Sequence, residues 1–202
     1  MARYTGPKHK IARREGVNIL EKASGSLERR LNILPGIQSR RGGRRKPSEY
    51  GLQLREKQKL KRSYGLLEKQ FRKYVEMAQA SRENTDEMLI QLLEGRLDNV
   101  VYRLGFANSR NQARQFVSHG HVLVDGKKVT IPSYNVKIGE KVSLDKKLLK
   151  NEVLKLHVEE TAANVLPYLE RKDIVGKLSR KPMREEVPNP ADYQLVIEFY
   201  SR

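Results

Sequence analysis

The sequence predicts an α+β protein: a helical domain and a small module of two helices packed on a twisted, mostly antiparallel sheet, with a basic N-terminal extension. Three observations lead there. Apolar residues recur at helical spacing between residues 48 and 117. The pair Asp125-Gly126 separates two short apolar alternations, the mark of a two-residue hairpin. Cationic side chains crowd the start of the chain, with 18 Lys and Arg against 5 Asp and Glu in residues 1–62 and 23 against 19 in residues 63–202. The expected division is a basic arm over 1–46, a helical domain over 47–93 rejoined by 181–202, and a module over 94–180 whose core signature is 94–157.

Each element has its own signal. Residues 1–46 show little sustained periodicity and end in Arg40-Arg41-Gly42-Gly43-Arg44-Arg45-Lys46, where glycines let the backbone approach a charged surface closely. Such an arm is expected to order on a polyanion and to be mobile when free. Helical patterning begins at Pro47-Ser48, with Ser48 as cap. Leu67, Phe71, Tyr74, Val75 and Ala78 form one helical stripe. Asn84 followed by Glu87 has capping-box spacing ahead of Leu89, Leu92 and Leu93.

After Gly95, a second stripe runs through Leu97, Val100, Val101 and Leu104. Ser109 with Gln112 caps a helix that turns Ala113, Phe116 and Val117 inward, and Gly120 ends it. The Asp125-Gly126 turn pairs Val124 with Lys127 and Val122 with Val129. A three-residue loop after Ile138 would pair Ile138 with Val142 and Val136 with Leu144. A helix is expected near 149–163 and strands around 168–180; Tyr193, Val196, Ile197 and Tyr200 follow helical spacing, which favours a helix, although Leu195-Val196-Ile197 also suits a strand.

The formal charge of +17, with an isoelectric point near 10.1, implies a polyanionic partner that relieves self-repulsion. Nucleic acid is the first candidate and an anionic membrane surface the second. The absence of cysteine excludes disulfides, thiolate chemistry and Cys-containing zinc sites. No apolar run reaches membrane-spanning length. There is no P-loop, dinucleotide fingerprint, metalloprotease His pair or nucleophile elbow, so an enzyme is not expected. Asp98 reads as an arginine partner or helix cap, and Asp125 as a turn residue.

Arginine suits phosphate because its planar fork binds two oxygens at once. The candidate contacts are Arg3, Tyr4, Lys8, Lys10, Arg13 and Arg14 in the arm; Arg40, Arg41, Arg44, Arg45 and Lys46 in its terminal loop; and Tyr50, Arg55, Lys57, Lys59, Lys61, Arg62, Lys69, Arg72 and Lys73 in the helical domain. In the module they are Arg96, Arg103, Ser109, Arg110, Gln112, Arg114, His119, His121, Lys127 and Lys128. The arm and the helix pair are expected to form one continuous cradle for folded RNA, whose deep major groove hides its base edges. Charge reversal at Arg103 or Arg114 is expected to weaken RNA binding with the fold intact. A DNA-reading helix–turn–helix is the competing view of 96–119, yet its second helix offers few base-reading groups beyond Asn111, Gln112 and Gln115.

The run Leu93-Glu94-Gly95-Arg96-Leu97-Asp98-Asn99-Val100-Val101-Tyr102-Arg103-Leu104-Gly105-Phe106-Ala107-Asn108-Ser109-Arg110-Asn111-Gln112-Ala113-Arg114-Gln115-Phe116-Val117 resembles the signature of the small-subunit ribosomal protein number four family, bacterial or organellar type. Met1-Ala2-Arg3-Tyr4-Thr5-Gly6-Pro7-Lys8, Leu54-Arg55-Glu56-Lys57-Gln58-Lys59-Leu60 and Leu195-Val196-Ile197-Glu198-Phe199-Tyr200-Ser201-Arg202 extend the resemblance over the whole chain.

The resemblance implies a structural component of the small ribosomal subunit. In this family it is a primary binder of small-subunit ribosomal RNA at a multi-helix junction of the 5′ domain, early in assembly. It also implies contact with ribosomal protein number five and other small-subunit proteins, an influence on decoding accuracy, and a loop near Arg40–Lys46 close to the path by which mRNA enters. Some members repress their own operon. The implied location is the cytoplasmic ribosome of a bacterium, or the matrix or stroma of an organelle; neither membrane nor DNA is an expected partner. Some relatives hold zinc with four N-terminal cysteines. Here that stretch offers His9 and no Cys, so no metal or other cofactor is expected. The family's Pro-Gly-Gln-His-Gly loop stands as Pro35-Gly36-Ile37-Gln38-Ser39. The same module occurs appended to RNA-modifying enzymes, the alternative reading, but those carry a separate catalytic domain.

Overall fold

The computed structural model describes residues 4–19, 24–36, 48–145, 147–148, 151–161 and 165–201. Arg3, Arg40, Arg41, Arg44, Arg45 and Lys46 lie outside the described residues. The chain divides into one unit of residues 1–79 with 189–202 and another of residues 80–188.

The first unit is helical. Helix α1 (Lys8–Glu15) ends at Gly16, whose φ of 75° lets its N–H reach back to the Ala12 carbonyl. Together with α2 (Gly25–Glu28) it encloses a small core of Ala12, Ile19 and Leu27, flanked by Ile11, Val17 and Leu31. The described part of the expected arm is therefore folded. Its few apolar residues give no long stripe because they converge from two short helices and a turn. Arg13 Nε closes the turn by donating to the Ile33 carbonyl at 2.9 Å.

Helix α3 (Glu49–Ser63) is capped by Ser48, whose hydroxyl accepts from the Gly51 N–H at 3.2 Å. Glu15 on α1 pairs with Arg62 on α3. Burial pushes the Glu15 carboxyl up, while Arg62, Arg55 and other cations pull the other way. Helix α4 (Glu68–Gln79) buries Phe71, Val75 and Ala78. Leu67 departs from the expected stripe and is 40% exposed, because it lies just before the helix begins. The last helix, α9 (Tyr193–Tyr200), follows the predicted spacing; it packs on α3, with Gln53 Nε2 donating to Glu198 at 3.0 Å.

Glu68 links three elements of this unit, accepting from Lys57 (2.9 Å), Lys61 (2.7 Å) and Tyr200 (2.6 Å). Burial alone would raise its pKa, but the donated hydrogen bonds outweigh burial and hold it at about 2, against an ordinary 4.5. A depressed carboxylate contributes stability above its unfolded pKa and loses that contribution as pH falls through the folded value. Circular dichroism during acid titration is expected to show Glu68→Gln abolishing part of the stability change between about pH 5 and pH 2. Superimposable acid limbs for variant and parent would remove Glu68 from this role.

The second unit begins with α5 (Thr85–Glu94), α6 (Leu97–Arg103) and α7 (Arg110–Ser118). Strands β1 (Val122–Val124), β2 (Lys127–Lys128) and β3 (Lys141–Leu144) precede α8 (Glu152–Glu160); of the helix expected near 149–163, residues 149, 150 and 162–164 lie outside the described residues. Strands β4 (Leu169–Lys172) and β5 (Val175–Leu178) follow. The sheet order is β2-β1-β3-β5-β4, antiparallel throughout. Leu89, Ile90, Leu93, Leu97, Val100, Val101 and Leu104 are buried with Val122, Val142 and Leu144. Gly176 lets β5 approach α6, since a Cβ there would sit 2.5 Å from Leu104 Cδ2. Among the described residues no helix is long and apolar enough to cross a membrane.

The first hairpin forms as read, with Val124 opposite Lys127 and Asp125 and Gly126 at φ 47° and 77°. The second does not. Val142 instead pairs with Val124 and Gly176, Leu144 pairs with Val122, and Ile138 is 53% exposed. The cause lies at the start of α6. Leu97 and Asp98 donate their N–H groups to the Tyr134 and Pro132 carbonyls, and Val136 donates to the Gly95 carbonyl. Segment 132–136 thus satisfies helix-start donors that have no partner within the helix. Asn135 also lies where a Gly95 Cβ would fall, 2.4 Å from its Oδ1.

Candidate nucleic-acid interface

Two buried carboxylates organise the helix pair. Asp98, in the first turn of α6, receives Arg96 Nε and Nη2 at 3.0 and 2.7 Å, and Arg114 Nε of α7 at 3.0 Å. Arg96 is 1% exposed and Arg114 8%. Glu94, at the end of α5, receives Arg103 Nε and Nη2 at 3.2 Å each, Asn99 Nδ2 at 2.6 Å and the Tyr168 hydroxyl at 2.8 Å. Burial and the Glu94 charge push the Tyr168 hydroxyl far above its ordinary pKa, so it remains a donor.

These contacts revise the expected roles of Arg96, Arg103 and Arg114. Their charges clamp α5, α6 and α7 together, and reversing Arg114 would set two carboxylates against each other in a buried site. The expectation that charge reversal at Arg103 or Arg114 spares the fold does not suit this geometry. Helical spacing fixes the angle of each arginine around its own helix; only packing shows which of them face inward.

Arg110 is placed differently. Its Nε donates to Asn99 Oδ1 at 2.8 Å, and its guanidinium carbon lies 4.8 Å from the Tyr102 ring centroid. Because Asn99 gives its amide nitrogen to Glu94, its oxygen is left facing Arg110. Glu94, Asn99 and Tyr102 were absent from the expected contacts. The only sequence sign of them is the spacing of Glu94, Asn99 and Arg103 around the Gly95 break. Ser109 caps α7 through the Gln112 N–H at 3.3 Å, and the Gln112 side chain accepts from the Asn108 N–H at 2.8 Å. Those two side chains therefore serve the turn.

Two histidines and two lysines come together where α7 meets the β1–β2 hairpin. His119 is exposed and His121 half-buried, with ring centroids 6.1 Å apart, and His121 meets Phe116 edge-on at 6.5 Å. Lys127 and Lys128 are exposed on β2. The Lys128 stem crosses Gly120, whose φ is 72°; a Cβ there would fall 2.1 Å from Lys128 Cε. The glycine that ends the helix also brings the lysine over the two histidines' turn.

In the helical unit, Lys8, Lys10, Arg14, Lys69 and Lys73 are exposed, as are Tyr4 and Tyr50, the latter beside Phe199 at 5.6 Å. Arg55 is half-buried. Others hold the fold: Lys57 is buried against Glu68 and 4.3 Å from the Phe199 ring centroid, Lys61 meets the same carboxylate, and Lys59 pairs with Glu56. Arg72 is exposed and meets the equally exposed Glu76 at 2.9 Å. Arg13 and Arg62 serve backbone carbonyls and Glu15 as described above.

Residues 3–94 match the family model described as ribosomal protein S4/S9 N-terminal domain, and residues 95–142 match the S4 domain. Over the full length of both chains, the sequence is 49% identical to small ribosomal subunit protein uS4 of Dictyoglomus turgidum. The figure is also 49% for the protein of that name from Aquifex aeolicus, and 47% for that from Akkermansia muciniphila. The chain belongs to the uS4 family. The resemblance read from the Leu93–Val117 run thus extends over the whole molecule. The two uS4 family models divide the chain at Gly95, where α5 ends and the Asp98 and Glu94 clamps begin.

Proposed function

We propose that this uS4-family chain is a non-enzymatic, structural constituent of the small ribosomal subunit of a bacterium, and that it works by binding ribosomal RNA. The carrying observation is the separation of its cations into two populations. One is buried on Asp98, Glu94 and Glu68, giving the helices rigidity. The other stands outward, with Lys127 and Lys128 at one edge of the sheet unit and Lys8, Lys10, Arg14, Lys69 and Lys73 on the helical unit. A rigid frame with outward charge binds a phosphate backbone with little ordering cost.

The finer reading concerns place and partners. This chain is a primary binder that seats on a multi-helix junction of the 5′ domain and nucleates assembly of the subunit body. It contributes to accuracy with ribosomal protein number five, and its arginine loop at 40–46 lies near mRNA. The family resemblance supports these points.

Affinity for small-subunit ribosomal RNA, measured across a salt series, is expected to fall with a log–log slope near −5, for about six neutralised phosphates. Duplex DNA is expected to compete poorly. A nearly flat slope, or equal competition by DNA, would overturn the proposal.

A further inference from the structure

Asn111, Gln115 and Ser118 stand exposed along α7, and the exposed His119 caps its end. We propose that this row lies in the minor groove of an RNA helix and tells RNA from DNA by the ribose 2′-hydroxyls; the inference rests on the RNA-binding function proposed above.

The row is set apart by its lack of charge. Every other described helix with exposed side chains has a charged one among them; even the sparsest carry Glu28 on α2, Glu87 on α5 and Glu198 on α9. On α7 the exposed positions 111, 115 and 118 are all polar and neutral, in a chain of which 32% is charged. A face built for phosphates alone would carry cations. The spacing i, i+4, i+7 puts the three on one side of the helix, in a row about 10 Å long. Among the described residues, none of their side chains has a hydrogen-bond partner, nor does that of His119. Gln112 differs, since its side chain accepts from the Asn108 N–H at 2.8 Å.

The chemistry matches a ribose. Carboxamides and hydroxyls both donate and accept, and so does a 2′-hydroxyl. In an A-form helix those hydroxyls line a wide, shallow minor groove, whereas the major groove is too narrow for side chains to read. The helix that carries the row is held firmly. Ser109 caps it, Arg114 is tied to Asp98, and Ala113 and Val117 are buried. Cations stand where the row ends, because the Lys128 stem crosses Gly120 and Lys127 is exposed beside it. Lysines there position the phosphates at the groove's border, and the neutral row tests what lies between them. DNA supplies the same phosphates without the hydroxyl, so it satisfies the lysines and leaves the row without partners.

The test uses the full chain and a double variant, Asn111→Ala with Gln115→Ala, on small-subunit ribosomal RNA carrying scattered 2′-deoxy substitutions. Bound and unbound transcripts are separated and the substituted positions mapped. The parent is expected to reject transcripts with deoxyribose at a few positions within base-paired RNA. With the variant those positions should become neutral, and affinity should fall roughly tenfold, as for two or three lost hydrogen bonds. No charge is removed, so the salt slope should stay that of the parent. Alanine suits an exposed helical position, and the melting temperature should hold. A parent indifferent to deoxyribose throughout base-paired RNA would overturn the proposal. So would interference that persists unchanged in the variant, or a variant that binds as tightly as the parent. If the parent fails to bind ribosomal RNA at all, the RNA-binding function falls and this inference with it, a result distinct from tight binding that ignores the hydroxyls.

Discussion

Replacing Asp98 with alanine is expected to destabilise the sheet-containing unit by about 3–5 kcal/mol, the usual effect of removing one partner from a buried ion pair. The aspartate is 4% exposed and serves Arg96 and Arg114, themselves 1% and 8% exposed. Without it, two guanidinium groups stay in a place that water scarcely reaches, and each repels the other. Losing the Arg96 fork also frees the start of α6, and losing Arg114 frees α7. For a unit of this size, thermal unfolding followed by circular dichroism should shift downward by on the order of 10–20 °C. The cause is tested by changing Arg96 and Arg114 to Met in the same chain. If stranded charge is the origin, the triple variant recovers most of the loss, because apolar groups of similar length tolerate that site. A loss below about 1 kcal/mol in the single variant would show that the carboxylate is not what holds the helices.

The second large effect is expected on affinity instead of stability. Lys127 and Lys128 are exposed on β2, so reversing both to Glu leaves every buried bond in place. Each lysine that neutralises a phosphate contributes close to one unit of salt slope. The double reversal should therefore reduce the slope by about 2 and weaken binding roughly a hundredfold at moderate salt, with an unchanged melting temperature. Arg96 should behave in the opposite way, with a large effect on melting. An unchanged slope for the lysine variant would take β2 out of the interface.

The contrast between these two predictions marks how far the sequence was readable. Arg96, Arg103, Arg110, Arg114, Lys127 and Lys128 all read as candidate phosphate contacts on paper. Spacing within a helix places Arg96 with Arg103 and Arg110 with Arg114, but it gives an angle around each helix axis, not the distance to the nearest carboxylate. That Asp98 and Glu94 face those arginines follows from how α5, α6 and α7 pack. The pairing of Val136 and Ile138 with β3 failed for a related reason. Alternation is a local property, but segment 132–136 is claimed by the unsatisfied N–H groups of α6, a non-local demand.

Local chemistry did determine a good deal. The caps at Ser48 and Ser109, the Asp125-Gly126 hairpin, the buried stripes of α6 and α9 and the concentration of charge at the start of the chain are all consequences of side chains acting on their near neighbours. So is the class of partner, since no fold removes an excess of seventeen positive charges. Tertiary structure decided which of those charges remain outside. A guanidinium beside a buried carboxylate becomes part of the scaffold, and one facing water remains available to a phosphate. The difference is made by solvent access, which only the packed chain defines.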